Sequence, residues 1–207
     1  MIKILIKIVK TFTNEVQHRG VYFTFLMMFS HFVGTVRGLY YKLIYMRNIQ
    51  SSIFSMQSNS KIEIFNKRAK LKIGNFVFIR KNASIRIDFK GKLELNEKVF
   101  INDNCNINCV NKIIIGKYTK IASNVSINDH DHNYKNEKEG HLLLGEVLIG
   151  ENVWIGSNVV ILKNTVIGDN SVIAAGSVVN GNVPPNTIFM NKREKIIKKQ
   201  LYQAVNG

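Results

Sequence analysis

Two cysteines in 207 residues, Cys105 and Cys109, are too few for a disulfide framework and are not spaced as a metal motif. Their scarcity fits a reducing compartment. The amino terminus alternates apolar residues with Lys3, Lys7 and Lys10, so it lacks the unbroken apolar core of a secretion signal. The longest apolar run, residues 21–33, is broken by Ser30 and His31. It falls short of the roughly 20 residues needed to span a bilayer. These absences point to the cytoplasm, with peripheral contact at the inner membrane face left open. Acidic residues are scarce too: 14 Asp+Glu against 29 Lys+Arg, a formal net charge of +15. The excess sits mainly at the ends, with seven basic and one acidic residue in 1–60 and five and one in 190–207. No dense basic stripe interleaved with aromatics occurs, so a nucleic-acid partner is not expected. Hydrophobic residues at 45% and charged residues at 21% describe one globular domain with an arm.

What the chain does have is a repeat of six. Aliphatic residues recur at Ile149, Ile155, Ile161, Ile167, Ile173 and Val179, and upstream at Ile73, Ile79 and Ile85, at Leu95, Ile101 and Ile107, and at Ile115, Ile121 and Ile127. A helix would require a period of 3.6 and a strand a period of 2. Six residues suit a short strand followed by a corner. The corner has its own signature three residues after each aliphatic: Asn152, Asn158, Asn164, Asn170, Gly176 and Asn182, with Asn82, Asn104 and Asn124 upstream. Asn and Gly tolerate the left-handed backbone that a sharp corner needs. Three faces per turn, about 18 residues per coil, give a triangular prism of parallel strands. The fold class is therefore an all-β solenoid.

The segment 61–185 resembles the hexapeptide-repeat family, which implies a left-handed parallel β-helix. Residues 1–60 read as a basic-apolar helical arm, with helical spacing of apolar groups over 38–47. Residues 61–190 form the β-helix, and 191–207 a short basic C-terminal helix. The terminal segments would cover the open ends of the prism, and 1–60 could also lie on an anionic leaflet. Most members of the family are acyltransferases using coenzyme A; others are zinc enzymes or nucleotidyltransferase tails.

One interruption, residues 128–147, separates Ile127 from Ile149 and opens with Asp129, His130, Asp131 and His132. Long excursions from a regular scaffold are often functional. Three readings compete: a metal site, a solvated polar loop, and a general base for acyl transfer, since imidazole exchanges protons near neutral pH. The zinc members place three histidines across adjacent coils, and the flanking hexads here contain none, so no metal is expected. The resemblance to sugar O-acetyltransferases of the maltose, galactoside and colanic-acid types puts the catalytic His five residues after the last aliphatic. That residue is His132, with His130 close behind. Asp129 or Asp131 could orient the imidazole or touch the acceptor.

The same resemblance assigns Asn102 to the acceptor, an amide able both to accept from and donate to sugar hydroxyls. It assigns the coenzyme arm to Trp154, Ser157, Ala174, Ala175, Gly176 and Ser177, with Lys192 and Arg193 at the nucleotide phosphates. Two departures stand out: Asn180-Gly181-Asn182 replaces a basic residue common in relatives, and residues 190–193 replace the usual closing turn. The implied reaction is acetyl-CoA-dependent O-acetylation of a sugar in a capsule, lipopolysaccharide or exopolysaccharide unit, within a homotrimer. An amine on a nucleotide sugar, another small acceptor, and a non-catalytic scaffold are the alternatives.

Overall fold

The computed structural model describes residues 2–134 and 140–192. It is a parallel β-solenoid with three flat faces. The first face has seven strands, from Ile49–Ser51 to Asn182–Val183. The second has seven, from Phe54–Met56 to Ile188–Phe189, and the third six, from Lys61–Ile64 to Val178–Val179. Within each face every strand pairs in parallel with the strand one coil away. All fifteen aliphatics of the six-residue register are buried, none more than 2% exposed. Ile101, Ile121, Ile155 and Ile173 form one such inner ladder on the second face. Burial of stacked isoleucines, worth about 1.5–3 kcal/mol each, is the main force closing the prism.

The corners follow the Asn signature with one correction. Asn82, Asn104, Asn124 and Asn158 have φ between 58° and 61° on the corner between the second and third faces, and Asn152 and Asn170 have φ of 54° and 57° on the first corner. Their amides form ladders: Asn82 Nδ2 donates to Asn104 Oδ1 at 3.1 Å, Asn124 to Asn158 at 3.2 Å, and Asn152 to Asn170 at 2.9 Å. Asn182 is not a corner residue. It lies in the strand Asn182–Val183, and Gly181 with φ 93° takes the turn, because the coil from Ile167 to Val183 spans only 16 residues. Phe76, Lys98 and Tyr118 also hold left-handed φ, on the first corner, although neither Asn nor Gly marks them.

Coil length departs from the expected 18. The step is 22 residues from Ile73 to Leu95, 20 from Leu95 to Ile115, 34 from Ile115 to Ile149 and 18 from Ile149 to Ile167. From Ile73 onward every difference falls on the third corner, where the third face returns to the first. Over the same range the first two corners keep their six-residue spacing.

Two helices precede the prism, α1 over Ile2–Arg19 and α2 over Val21–Ile44. Helix α2 lies on the strand Phe54–Met56 through Gly34 and Gly38; a Cβ on Gly38 would stand 2.7 Å from the Phe54 carbonyl oxygen. Arg37 Nη1 donates to the Met56 carbonyl at 2.9 Å, and Lys42 Nζ to the Ser51 carbonyl at 2.8 Å. The helix thus satisfies polar groups of the open sheet edge. The prism starts at Ile49 rather than at residue 61. Its first coil was hidden because Ile49 pairs with Leu71 and Met56 with Ile79, 22 and 23 residues on, so no six-residue register links it to the rest. Residues 38–44 are helical as expected and 45–48 form a turn. Of the expected C-terminal helix, residues 193–207 lie outside the described residues. Among the described residues no helix is long and apolar enough to cross a membrane.

Candidate active site

The third corner is where the chain leaves the coil, and Asp129 fixes the exit. Its carboxylate is fully buried and accepts backbone N–H groups from the preceding coil: Val110 at 3.0 and 3.1 Å and Asn111 at 2.8 Å. The Cys109 thiol lies beside it. Burial first, and then this carboxylate, push the Cys109 thiol far above its ordinary range; burial likewise raises Cys105. Neither sulfur is available as a thiolate nucleophile near neutral pH. The two ends of the interruption are clamped together, with Gly145 N donating to the Asp129 carbonyl at 2.7 Å and Asn111 Nδ2 to the Gly145 carbonyl at 2.9 Å.

On this base stands a short antiparallel hairpin, His130–His132 paired with Leu142–Leu144. His130 lies opposite Leu144, Asp131 opposite Leu143 and His132 opposite Leu142. Directly opposed residues share a side of a ribbon, and alternate residues switch sides. One face of the hairpin therefore carries His130, His132, Leu142 and Leu144, and the other carries Asp131 and Leu143. Leu142 and Leu144 wall a pocket of about 430 Å³ that runs back along the third corner to Val110, Phe89 and Arg68. His130 and His132 share the hairpin face of these leucines, and the histidine in the pocket lining itself is His141.

The histidines differ in support. His130 is half-buried, and its Nδ1 lies 2.9 Å from Asp129 Oδ1. A carboxylate at Nδ1 sets the tautomer that leaves Nε2 with a free lone pair, the condition for a base. The exposed His132 ring has no hydrogen-bond partner among the described residues. Asp131 points away from the pocket and lies 3.6 Å from Lys163 of the next coil.

The other expected site residues occupy different corners. Asn102, Ser157 and residues 174–176 lie on the second corner, where Ala174 is half-buried and Ala175 exposed. Gly176 makes the turn with φ 67°, and Ser177 is buried inside it. Asn102 Oδ1 accepts the Asp103 N–H at 2.9 Å. Trp154, 50% exposed, stands on the outer side of the second face beside Lys120 and Val172. Lys192 is exposed, and Arg193 lies outside the described residues. One chain therefore brings His130, His132 and Asp129 together on the third corner, and Asn102 together with the residues expected to hold the coenzyme arm on the second, but does not join the two groups. Arg68, Phe89, Lys90 and the two leucines were missed. The signal available was the four-residue excess between Ile85 and Leu95, which marks an earlier, smaller excursion on the same corner.

Comparison with known proteins follows the same lines. The signature described as bacterial transferase hexapeptide (six repeats) matches residues 146–181. The Escherichia coli (strain K12) protein WbbJ, whose name assigns it to O-acetyl transfer in lipopolysaccharide biosynthesis, is 36% identical over 135 residues, covering 59% of this chain and 69% of its own. Crystal structures of variants of AntD, an N-acyltransferase from Bacillus cereus, with dTDP and coenzyme A share the fold. One superposes with a TM-score of 0.61 at 17% identity over 79% of this chain and 89% of AntD, and another with 0.58 over 71% and 82%.

Proposed function

The chain belongs to the hexapeptide-repeat acyltransferases, and on that premise we propose that it moves an acetyl group from acetyl-CoA to a hydroxyl of a surface-polysaccharide sugar or its precursor. The name of its E. coli relative supports the acceptor class. The observation that carries the reading is the His130–Asp129 pair, a ring oriented by a buried carboxylate on the hairpin that walls an open pocket, at the one long break in the coil stack. His130 is the base in this reading. His132 is the second assignment, favoured by its spacing from Ile127.

The chemistry is direct transfer. His130 Nε2 takes the proton from the acceptor hydroxyl as that oxygen attacks the thioester carbonyl. The oxygen–acetyl bond forms as the carbon–sulfur bond breaks, and the imidazolium returns its proton to the departing sulfur. Asp129 holds Nδ1 throughout and stabilises the transient positive ring. Such base assistance contributes about 10²–10⁴ in rate. Acetyl-CoA supplies the activated acyl group. The second corner fits its extended arm because Ala174, Ala175 and Gly176 present little beyond backbone there, and Trp154 offers an exposed ring on the adjoining face. Lys192 and Arg193 are assigned to its phosphates, and Asn102 to the acceptor.

Donor and base stand on different corners, so the complete site forms between neighbouring copies, and we assign a homotrimer. Light scattering of the purified chain at micromolar concentration should return three chains. The activity test is thiol release from acetyl-CoA with the polysaccharide's own precursor as acceptor. His130→Ala should lower kcat by about 100-fold or more with coenzyme A binding retained. An equal loss in His132→Ala alone would move the base to His132. Near-normal turnover in both would overturn the general-base reading.

A further inference from the structure

The pocket under the hairpin carries charge that acid–base chemistry does not use. Arg68 and Lys90 reach it from two successive coils, and neither side chain has an ion-pair partner among the described residues. Around them stand the apolar side chains of Phe89, Val110, Leu142 and Leu144, with Asn66, Asn111 and His141 as the polar part of the lining. Two unpaired cations among large apolar groups suit an amphiphilic anion, since phosphate oxygens satisfy the cations and the walls accept a hydrocarbon chain.

The surroundings identify which end is which. The hairpin that carries His130 and His132 closes the pocket at one end through Leu142 and Leu144. Toward the other end Phe65, 63% exposed, precedes Phe89, 55% exposed, by one coil on the same corner. This corner is tied to the foot of helix α2, where Asn48 Nδ2 donates to the carbonyls of Asn66 at 3.0 Å and Ala69 at 2.7 Å. Lys70 Nζ donates there to the Arg47 carbonyl at 2.9 Å. Beyond it, α2 buries only Thr24, Gly34 and Gly38 and exposes Phe25, Phe29, Phe32, Val36, Leu39 and Leu43. Between Glu15 and Glu63 the chain has no acidic residue, and Arg19, Arg37, Lys42, Arg47 and Lys61 are spread through it. An apolar helix with cations and no anions is complementary to an anionic lipid surface. One track thus runs from a membrane-compatible helix, past two aromatics and two cations, to the base.

We propose that this track binds a lipid-anchored glycosyl diphosphate, with the diphosphate between Arg68 and Lys90, the lipid along Phe89 and Phe65 toward α2, and the sugar under His130. The inference rests on the acetyl-transfer reading for the fate of the sugar, but the binding itself can be measured without turnover. Farnesyl diphosphate is titrated calorimetrically into the full-length protein, with UDP, inorganic pyrophosphate and farnesol as comparators and acetyl-CoA in a separate titration. Farnesyl diphosphate should bind most tightly. Arg68→Gln combined with Lys90→Gln should weaken it about tenfold or more, while melting temperature and acetyl-CoA affinity hold. No binding, binding unchanged by the double substitution, or UDP bound as tightly as farnesyl diphosphate would each overturn the proposal; the last would mark a nucleotide-sugar site. If farnesyl diphosphate binds as stated but acetyl-CoA does not, the track stands and the acetyl-transfer reading falls.

Discussion

Replacing Asp129 by Asn removes one charge without changing shape, so its consequences follow from donors and acceptors alone. The carboxylate, itself fully buried, receives Val110 N and Asn111 N, lies 2.9 Å from His130 Nδ1 and has the Cys109 thiol beside it. An amide has one acceptor oxygen. Turned to keep Asn111 N, it presents Nδ2 toward Val110 N and His130. Hydrogen bonds to a charged partner are worth about 1.5–3 kcal/mol, and a donor facing a buried donor adds a desolvation cost, so Asp129→Asn should cost about 2–4 kcal/mol of stability. The catalytic loss is separate. An amide N–H pointing at Nδ1 makes that nitrogen the acceptor and places the ring proton on Nε2, where the base needs its lone pair. The expected fall in kcat is about 10²–10⁴, with coenzyme A affinity nearly unchanged because the residues proposed to hold it lie on another corner. Urea unfolding gives the first quantity and single-turnover acetyl transfer the second. Combining Asp129→Asn with His130→Ala tests the coupling: if the two act as one unit, the double variant is no slower than the slower single one. A kcat within about threefold of the parent, despite lost stability, would reduce Asp129 to a clamp on the loop and refute the orientation argument.

Two further outcomes are open to measurement. Ile121→Ala removes a buried side chain stacked between Ile101 and Ile155, and should cost about 2–5 kcal/mol in denaturant unfolding; a cost under 1 would mean that the ladder does not carry the fold. Cys105 and Cys109 should resist thiol reagents at pH 8 until the chain is unfolded. Their folded thiols keep protons that the unfolded chain gives up near its ordinary value of about 9, so stability should decline as pH rises above that point. Rapid modification of the native protein would contradict the burial that underlies both statements.

The prism was legible because a solenoid repeats one local decision. Each inward Ile is dictated by its own hexad, so fifteen independent readings agreed without knowledge of long-range contacts. Corners were legible where Asn or Gly revealed a left-handed φ and illegible at Phe76, Lys98 and Tyr118. There neighbouring coils impose the conformation on residues that oppose it by about 1–2 kcal/mol. The first coil escaped notice because its spacing belongs to no hexad. At the start of the loop, sequence placed His130 and His132 beside Asp129 and Asp131 but could not separate their roles. Only the hairpin register shows that Asp131 turns outward to Lys163 while Asp129 turns inward to His130. Arg68 and Lys90 were invisible for the opposite reason. They are remote in sequence from the loop and meet its returning strand, at Leu142 and Leu144, only through coil stacking.

The confinement of all length variation to the third corner from Ile73 onward makes the molecule modular in an unusual direction. Chain can be added or removed at that edge by whole turns of loop while the other two edges keep their phase, so the frame that would carry the thioester is indifferent to what is built opposite it. Selectivity for a new glycan could therefore arise by transplanting one edge. A graft of residues 128–147 between proteins of this architecture need match only two anchor points, the Asp129 carboxylate nest and the Gly145 clamp, rather than a whole surface.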